Sequence, residues 1–256
     1  MKIEKVLAEK AIDWSPHKHA FVNPYNGCPI GCPFCFWLSQ PGWEGRIQVK
    51  ENIPALLERE LRGWPKDTFL YFGSVCDPFM EVEREYGLSR KCLELIKKYE
   101  VPLLITTSAT NDVIRQDIAL LKSMRQRVVV VVELSRIKLV EELNRGGVHM
   151  GIYNANALSE QGLEVMTTLS PILPGITDLK VVLESLRKEI PVYVDSLQCE
   201  KDSIQQKKVM AWIRKAYPQF EAQYKKIVCD QDRSEYDALL MKYQDNKRVQ
   251  TFPFKL

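Results

Sequence analysis

The sequence has no long hydrophobic run, no surplus of one charge and no paired set of cysteines. No apolar stretch approaches the roughly 18 residues of a membrane-spanning helix, and the charged N-terminus lacks the apolar core of a signal peptide. The 36 basic and 33 acidic side chains leave a formal charge of +3, which gives no evidence of a basic surface for binding nucleic acid. Seven cysteines, an odd number, argue against a disulfide scaffold. We therefore expect a cytoplasmic protein with no membrane partner.

Three of the cysteines, Cys28, Cys32 and Cys35, lie in the short run Cys-Pro-Ile-Gly-Cys-Pro-Phe-Cys. Thiolates this close together can converge on one metal centre, and iron–sulfur clusters are held by cysteines in such loops. Structural zinc is the alternative, but it requires four ligands, and only His17 and His19 stand close by in the sequence to complete the set. A 4Fe–4S cluster held by three cysteines keeps one iron open for a small molecule. The triplet therefore predicts a catalyst.

Runs of β-branched residues alternate with amphipathic stretches, which predicts a parallel sheet wrapped by helices. The predicted strands cover residues 19–22, 68–72, 101–106, 127–134, 165–169 and 192–195. The predicted helices cover residues 53–62, 83–99, 111–124, 138–144, 154–161, 178–189, 203–216 and 234–243. Six β/α units indicate an α/β fold of the partial (β/α)6 TIM-like barrel type over residues 1–200. Residues 201–256 are expected to form a short helical C-terminal extension packed on the barrel.

Beyond the triplet, several stretches resemble the radical S-adenosylmethionine (SAM) superfamily and, within it, the spore photoproduct lyase-like branch. They are the aromatic Phe36 directly after the last cysteine and residues 23–28, 72–90, 105–108 and 170–178, in the family's order. The resemblance implies that the open iron chelates SAM and that an electron from the cluster cleaves SAM to a 5′-deoxyadenosyl radical. It also implies an external electron donor such as flavodoxin or ferredoxin. It does not imply the lyase reaction, because the branch contains proteins of other function.

The resemblance also assigns SAM contacts to residues that follow the predicted strands. Gly73 and Ser74 match the contact with the SAM amino group, and the backbone of Phe36 matches the group that reads adenine. Thr107 and Ser108 stand where the lyase relatives usually carry a Lys near the SAM carboxylate, so hydroxyl groups would have to replace it.

Four further residues complete the predicted cofactor site. Phe34 precedes the last cysteine ligand. Ser135 is expected to bind the ribose or carboxylate of SAM, or else to cap a helix. Ile172 and Gly175 resemble the segment that packs on adenine, with simple packing at the barrel end as the alternative.

Cys76 is the candidate catalytic residue outside the triplet, because it lies in the loop after the second predicted strand. In photoproduct lyases a cysteine of this loop donates a hydrogen atom to the product radical. Aligned on Asp77, however, the donor position falls at Ser74. The alternative is that Cys76 is a small residue that packs near SAM. Asp77 is expected to belong to an Asp-Pro turn, with orientation of a substrate as the alternative.

The sequence thus predicts a radical SAM enzyme of undetermined reaction class. A peptide or small-molecule substrate is favoured over nucleic acid, because binding duplex DNA usually requires a basic face. Nucleic-acid repair or modification is one alternative, and a non-catalytic module that carries a cluster is another. Trp37 and Trp43 are expected either to shield the cluster or to stack on the substrate.

Overall fold

The computed structural model describes residues 2–39, 43 and 45–251. The strands are β1 (Lys2–Val6), β2 (Ile12–Trp14), β3 (Ala20–Val22), β4 (Tyr25–Asn26), β5 (Arg46–Lys50), β6 (Leu70–Phe72), β7 (Leu103–Thr107), β8 (Val128–Glu133), β9 (Glu164–Leu169), β10 (Val192–Val194) and β11 (Val249–Thr251). The helices are α1 (Ile53–Glu60), α2 (Glu83–Tyr86), α3 (Leu88–Lys98), α4 (Ile118–Lys122), α5 (Ile137–Asn144), α6 (Met150–Glu160), α7 (Leu179–Ser185), α8 (Ile204–Ala216), α9 (Glu221–Cys229) and α10 (Ser234–Lys242). None of the described helices is long and apolar enough to cross a membrane.

The main sheet has eight strands in the order β11-β10-β9-β8-β7-β6-β3-β2. Neighbours from β3 to β11 pair in parallel, and β2 pairs with β3 antiparallel. The six predicted strands are all present and follow one another across the sheet, so the predicted α/β fold of the partial-barrel type is confirmed. In such an arrangement the loops that follow the strands meet at one edge.

The core of the sheet is built by β-branched strand residues and by one apolar face of each covering helix. Val130 and Val132 of β8 are fully buried, as the run of five valines predicts. Ile96 of α3 and Leu158 of α6 are also fully buried in the same core. This packing fixes the sheet edge at which the candidate site lies.

The helix predicted over residues 83–99 is broken at Gly87, which adopts a φ of +60° and separates α2 from α3. The carboxylate of Glu83 lies across the break and accepts hydrogen bonds from the backbone N–H groups of Ser89 at 2.9 Å and Arg90 at 3.0 Å. The acidic side chain therefore caps the start of α3, where unpaired N–H groups need an acceptor. Similarly, the helix predicted over 111–124 begins as a 3₁₀ turn, Val113–Asp117, before α4.

The sequence did not predict the small second sheet, strand β2, helix α9 or strand β11. In the second sheet, β1 pairs in parallel with β5, and β5 pairs antiparallel with β4. β11 lies within residues 201–256, which were expected to form a helical extension, and residues 252–256 lie outside the described residues. Short strands without regular alternation leave little periodic signal.

The C-terminal region packs on the barrel through a core of its own, which we call the C-terminal core. It joins α8 and α9 to the cysteine-rich segment and to the loops after β9 and β10. Its buried members are Cys32, Phe34, Val140, Leu173, Ile176, Leu197, Cys199, Val209, Met210, Ile213, Tyr224, Ile227 and Val228. The domain boundary near residue 200 stays a prediction.

Candidate functional site

The three clustered cysteines lie in a loop over residues 27–35, the cysteine loop, which follows β3 and β4 at the edge where the parallel strands end. Its first residue, Gly27, has a φ of +91°, and a Cβ there would come within 2.2 Å of the Arg46 carbonyl oxygen of β5. Only glycine allows the backbone to pass β5 this closely. The second sheet therefore sets the path on which the chain enters the cysteine loop.

All seven cysteines are free thiols, and those of the cysteine loop are partly or fully removed from solvent. Burial raises the pKa of Cys28, Cys32 and Cys35, and the positive charge of Arg136 acts in the opposite direction at all three. Three thiols beside a cation are a donor set that fits a cluster held by three cysteines, since the ligating form is the thiolate.

The zinc alternative requires a fourth ligand, and the candidates lie elsewhere. His17 and His19 are exposed and precede β3, whereas the cysteine loop follows its end. The ring of His19 packs instead on Tyr71, with 5.4 Å between the ring centroids. Within the described part of the chain, no three His, Cys, Asp or Glu side chains are grouped to hold a single metal ion. The upstream histidines therefore do not complete a zinc site.

The buried carboxylate of Asp77 ties the loop after β6 to the end of β7. Its Oδ1 accepts hydrogen bonds from the Thr107 hydroxyl at 2.8 Å and from the Phe79 N–H at 3.0 Å. Its Oδ2 accepts one from the Ser108 N–H at 2.8 Å. Asp77 is thus more than a turn residue, because it fixes both hydroxyl residues that were predicted to stand near the SAM carboxylate.

Arg136, just after β8, is the residue of this site that sequence reasoning missed. Its Nη1 donates to the Sγ of Cys32 at 3.1 Å, and its Nε donates to the Ser108 hydroxyl at 2.8 Å. Glu133 lies 3.5 Å away, and both side chains are less than one-fifth exposed. Although burial disfavours the charged form, the Glu133 carboxylate and the neighbouring thiols hold the pKa of Arg136 above its ordinary value.

Gly73 brings the loop after β6 against the end of β7. Its φ is +83°, and a Cβ would lie 2.4 Å from Cδ of Pro78 and 2.7 Å from the Thr106 carbonyl oxygen. Two residues on, the Val75 N–H donates to the Asn23 side chain at 3.0 Å, which joins this loop to the start of the cysteine segment. The strand ends around the cysteine loop therefore form one connected polar edge.

Solved structures share this arrangement of sheet and loops. A variant of spore photoproduct lyase with bound AdoMet and dinucleoside spore photoproduct covers 99% of this chain and 82% of its own, with a TM-score of 0.62 and 14% identity. Streptococcus suis SuiB bound to S-adenosylmethionine covers 90% of this chain and 49% of its own, with a TM-score of 0.53 and 16% identity. The fold is that of the radical SAM enzymes. The resemblance to the photoproduct lyase-like branch, first seen in the motifs, is thereby confirmed for the fold.

Sequence comparison alone is less informative. An uncharacterized protein of Methanocaldococcus jannaschii is 26% identical over 196 residues, which cover 72% of each chain. No family model matches the sequence. The likeness of the fold is therefore recognised from the structure rather than from the sequence.

Ser135 offers an incompletely satisfied polar group at the candidate site. The residue is fully buried after β8. Its N–H donates to Glu133 at 2.6 Å, and its hydroxyl lies beside the same carboxylate without a hydrogen bond of good geometry. A buried hydroxyl without a well-formed hydrogen bond can still make one with a polar ligand group. This hydroxyl fits the predicted contact with the ribose or carboxylate of SAM.

The predicted adenine segment follows β9 in the radical SAM fold. Ile172 is buried and lines a cavity of about 160 Å³ together with Pro174, Ser196 and Gln198. Gly175 has a φ of +76°, and a Cβ there would come within 2.9 Å of the Phe220 ring. The structure brings these residues to the same sheet edge as the cysteine loop, next to the C-terminal region.

The aromatic side chains within and just after the cysteine loop point in different directions. The Phe34 side chain is buried in the C-terminal core, and its carbonyl accepts a hydrogen bond from Gln205 at 2.5 Å. Phe36 is 69% exposed and packs edge-on against Trp37, whose ring stacks on Trp43 at 5.5 Å. The ring of Phe34 is therefore a packing element, and the predicted contact of the Phe36 backbone with adenine stays a prediction.

Cys76 is 3% exposed and lies in a small core under the cysteine loop. Its thiol donates to the Gly27 carbonyl at 2.7 Å and contacts the sulfur of Met80 at 3.9 Å. Burial raises the pKa of this thiol well above its ordinary value, so it stays protonated. Cys76 thus fastens the loop after β6 to the residue that precedes Cys28.

Proposed function

We propose that this chain is a radical SAM enzyme in which Cys28, Cys32 and Cys35 hold a 4Fe–4S cluster. The observation that carries the proposal is a loop with three free thiols that contacts the loops after β6 and β8, in a sheet of the radical SAM type. When bound, the cluster supplies the electron that cleaves SAM to a 5′-deoxyadenosyl radical, which takes hydrogen from the substrate.

The chain's own residues bind and enclose the cofactors. The buried Ser135 hydroxyl is a candidate contact for SAM, and Gly73 lets the loop after β6 pack directly on Pro78 and the end of β7. Thr107 and Ser108 are held by Asp77, so their positions are fixed before any ligand binds. The stacked Trp37 and Trp43 keep water from one side of the cysteine loop. Removal of water protects a radical from side reactions.

We propose a peptide or small molecule as the substrate. SuiB bound to its precursor peptide SuiA shares the fold with a TM-score of 0.51 and 15% identity, over 90% of this chain and 48% of that one. The near balance of basic and acidic residues also favours a substrate that is not a polyanion.

Nucleic-acid repair is the second candidate, and the photoproduct lyase with its bound dinucleoside is the observation that favours it. The two candidates are distinguished by the rate of SAM cleavage by the cluster-loaded chain, measured with added peptide or with added DNA. Peptides from the host's own proteome should raise SAM cleavage above its uncoupled rate, whereas ultraviolet-damaged DNA should not. Stimulation by damaged DNA alone would assign the chain to repair.

The proposed activity is tested by anaerobic reconstitution with iron and sulfide, followed by SAM and dithionite. We expect 5′-deoxyadenosine from the wild-type chain and from the control variant Cys229→Ala, whose cysteine lies outside the cysteine loop. We expect none from Cys28→Ala, because loss of one of three ligands releases the cluster. A loaded wild-type chain that forms no 5′-deoxyadenosine would favour a non-catalytic module that carries a cluster.

A further inference from the structure

Arg136 reaches the cysteine loop from the end of β8 and is the cation that contacts a cluster ligand. We propose that Arg136 raises the reduction potential of the cluster through its hydrogen bond to the Cys32 sulfur. The proposal rests on the proposed function, since it requires that the cysteine loop hold an iron–sulfur cluster. It adds a positioning residue that lies outside the cysteine motif.

The geometry of the contact supports this role. Nη1 of Arg136 lies 3.1 Å from the Sγ of Cys32, the most buried ligand of the three at 5% exposure. Reduction adds a negative charge to a cluster, and hydrogen bonds to its sulfurs together with nearby positive charge stabilise that charge. Because the contact is shielded from water, the stabilisation is larger than at an exposed site.

The guanidinium is held in place by partners on both sides. Nε and Nη2 both donate to the hydroxyl of Ser108, whose own N–H is bound to Asp77. The Glu133 carboxylate balances the charge from 3.5 Å. A planar donor fixed in this way keeps one N–H directed at the sulfur, which a flexible ammonium group does not. Arg136 is therefore oriented before the cluster binds.

The test is a redox titration of the reconstituted chain without SAM, followed by electron paramagnetic resonance. For Arg136→Gln we expect the equilibrium constant for reduction to fall about tenfold, which is a shift of about 59 mV to more negative potential for one electron. Arg136→Lys keeps the charge but loses the fixed fork, so we expect a smaller shift in the same direction. Arg145→Gln changes an exposed arginine and should leave the potential unchanged.

A second variant, Ser108→Ala, tests the proposal if Arg136→Gln binds the cluster poorly. Ser108→Ala leaves the arginine in place but removes its anchor, and we expect a shift in the same direction. Potentials of Arg136→Gln and Ser108→Ala that equal the wild-type value would overturn the inference, even if 5′-deoxyadenosine is formed. Shifted potentials without 5′-deoxyadenosine would contradict the proposed function alone. A wild-type chain that takes up no cluster would overturn both.

Discussion

At the scale of single residues, Cys76 has two possible roles that make opposite predictions. If it anchors the cysteine loop, Cys76→Ala loses the hydrogen bond to the Gly27 carbonyl and Cys76→Ser keeps a donor there. We expect the anchoring role, so the free energy of unfolding should fall by about 1 kcal/mol in the alanine variant. The serine variant should recover most of that loss. Urea unfolding of both variants checks it.

The hydrogen-donor role predicts a different result for the same pair of variants. A hydroxyl is a poor donor of a hydrogen atom, so serine would behave like alanine. Both variants would form 5′-deoxyadenosine but stall before product. That pattern, with unchanged stability, would contradict the anchoring role and assign Cys76 to the chemistry.

Gly73 gives a second prediction at this scale, with Gly162 as its matched control. Both have a positive φ, +83° and +81°, but a Cβ at Gly162 meets nothing within 4 Å, whereas one at Gly73 strikes Pro78 and the Thr106 carbonyl. We expect Gly162→Ala to cost about 1–2 kcal/mol of unfolding free energy for the backbone alone. Gly73→Ala should cost about 1–3 kcal/mol more, from the clash. Equal costs would mean that the loop after β6 can shift freely.

The residues of the site differ in how far the sequence could reveal them. The three cysteines could be proposed as ligands from the sequence because cluster ligands need fixed spacing within one short loop. Arg136 could not, because its contact with Cys32 joins residues 104 positions apart and depends on the neighbouring ends of separate strands. The role of Asp77 was partly hidden for the same reason, since the Asp-Pro turn was visible but the partners at 107 and 108 were not.

At the scale of elements, periodicity located the six central strands of the main sheet, but it missed the short strands outside them and the breaks within helices. The valine run of β8 was evident, because a strand buried on both faces is continuously apolar. The long helix over residues 83–99 was expected to be continuous, since Gly87 alone does not end a helical pattern, and the cap from Glu83 is a tertiary feature. β11 was missed because three residues carry no pattern and its pairing partner, β10, precedes it by more than fifty residues.

Arg248, directly before β11, should hold that strand to the sheet. Its guanidinium donates to the backbone carbonyls of Leu183, Arg187 and Ile190 at 2.9–3.1 Å. We expect Arg248→Ala to lower the free energy of unfolding by about 2 kcal/mol and to speed amide hydrogen exchange over residues 249–251. Lys247→Ala, on the exposed neighbour, is the control. Unchanged exchange in the arginine variant would mean that β11 stays paired without this anchor.

At the scale of the whole molecule, the cysteine loop lies between the barrel and the C-terminal region. On one side the barrel supplies the strand ends, and on the other Cys32 and Phe34 pack into the C-terminal core with α8 and α9. The hydrogen bond from Gln205 of α8 to the Phe34 carbonyl joins the two parts. The C-terminal region therefore covers one side of the proposed cluster. This role was not predicted from the sequence, in which the helices of the region are polar.

Two methionines of the C-terminal region test this cover. Met210 of α8 is 6% exposed in the C-terminal core, whereas Met241 of α10 is 71% exposed. Met210→Ala should lower the free energy of unfolding by about 2–5 kcal/mol, through lost contacts and the cavity left behind. Met241→Ala should change it by less than about 0.5 kcal/mol.

The same pair should differ in how fast the cluster is lost in air, followed by its visible absorbance after anaerobic reconstitution. A cavity under Cys32 and Phe34 lets oxygen and water approach the cysteine loop, so Met210→Ala should bleach faster than the wild-type chain and Met241→Ala at the wild-type rate. A Met210→Ala chain that is less stable yet bleaches at the wild-type rate would mean that oxygen enters from the side of Trp37 and Trp43. The aromatic stack, rather than the C-terminal region, would then limit access to the cluster.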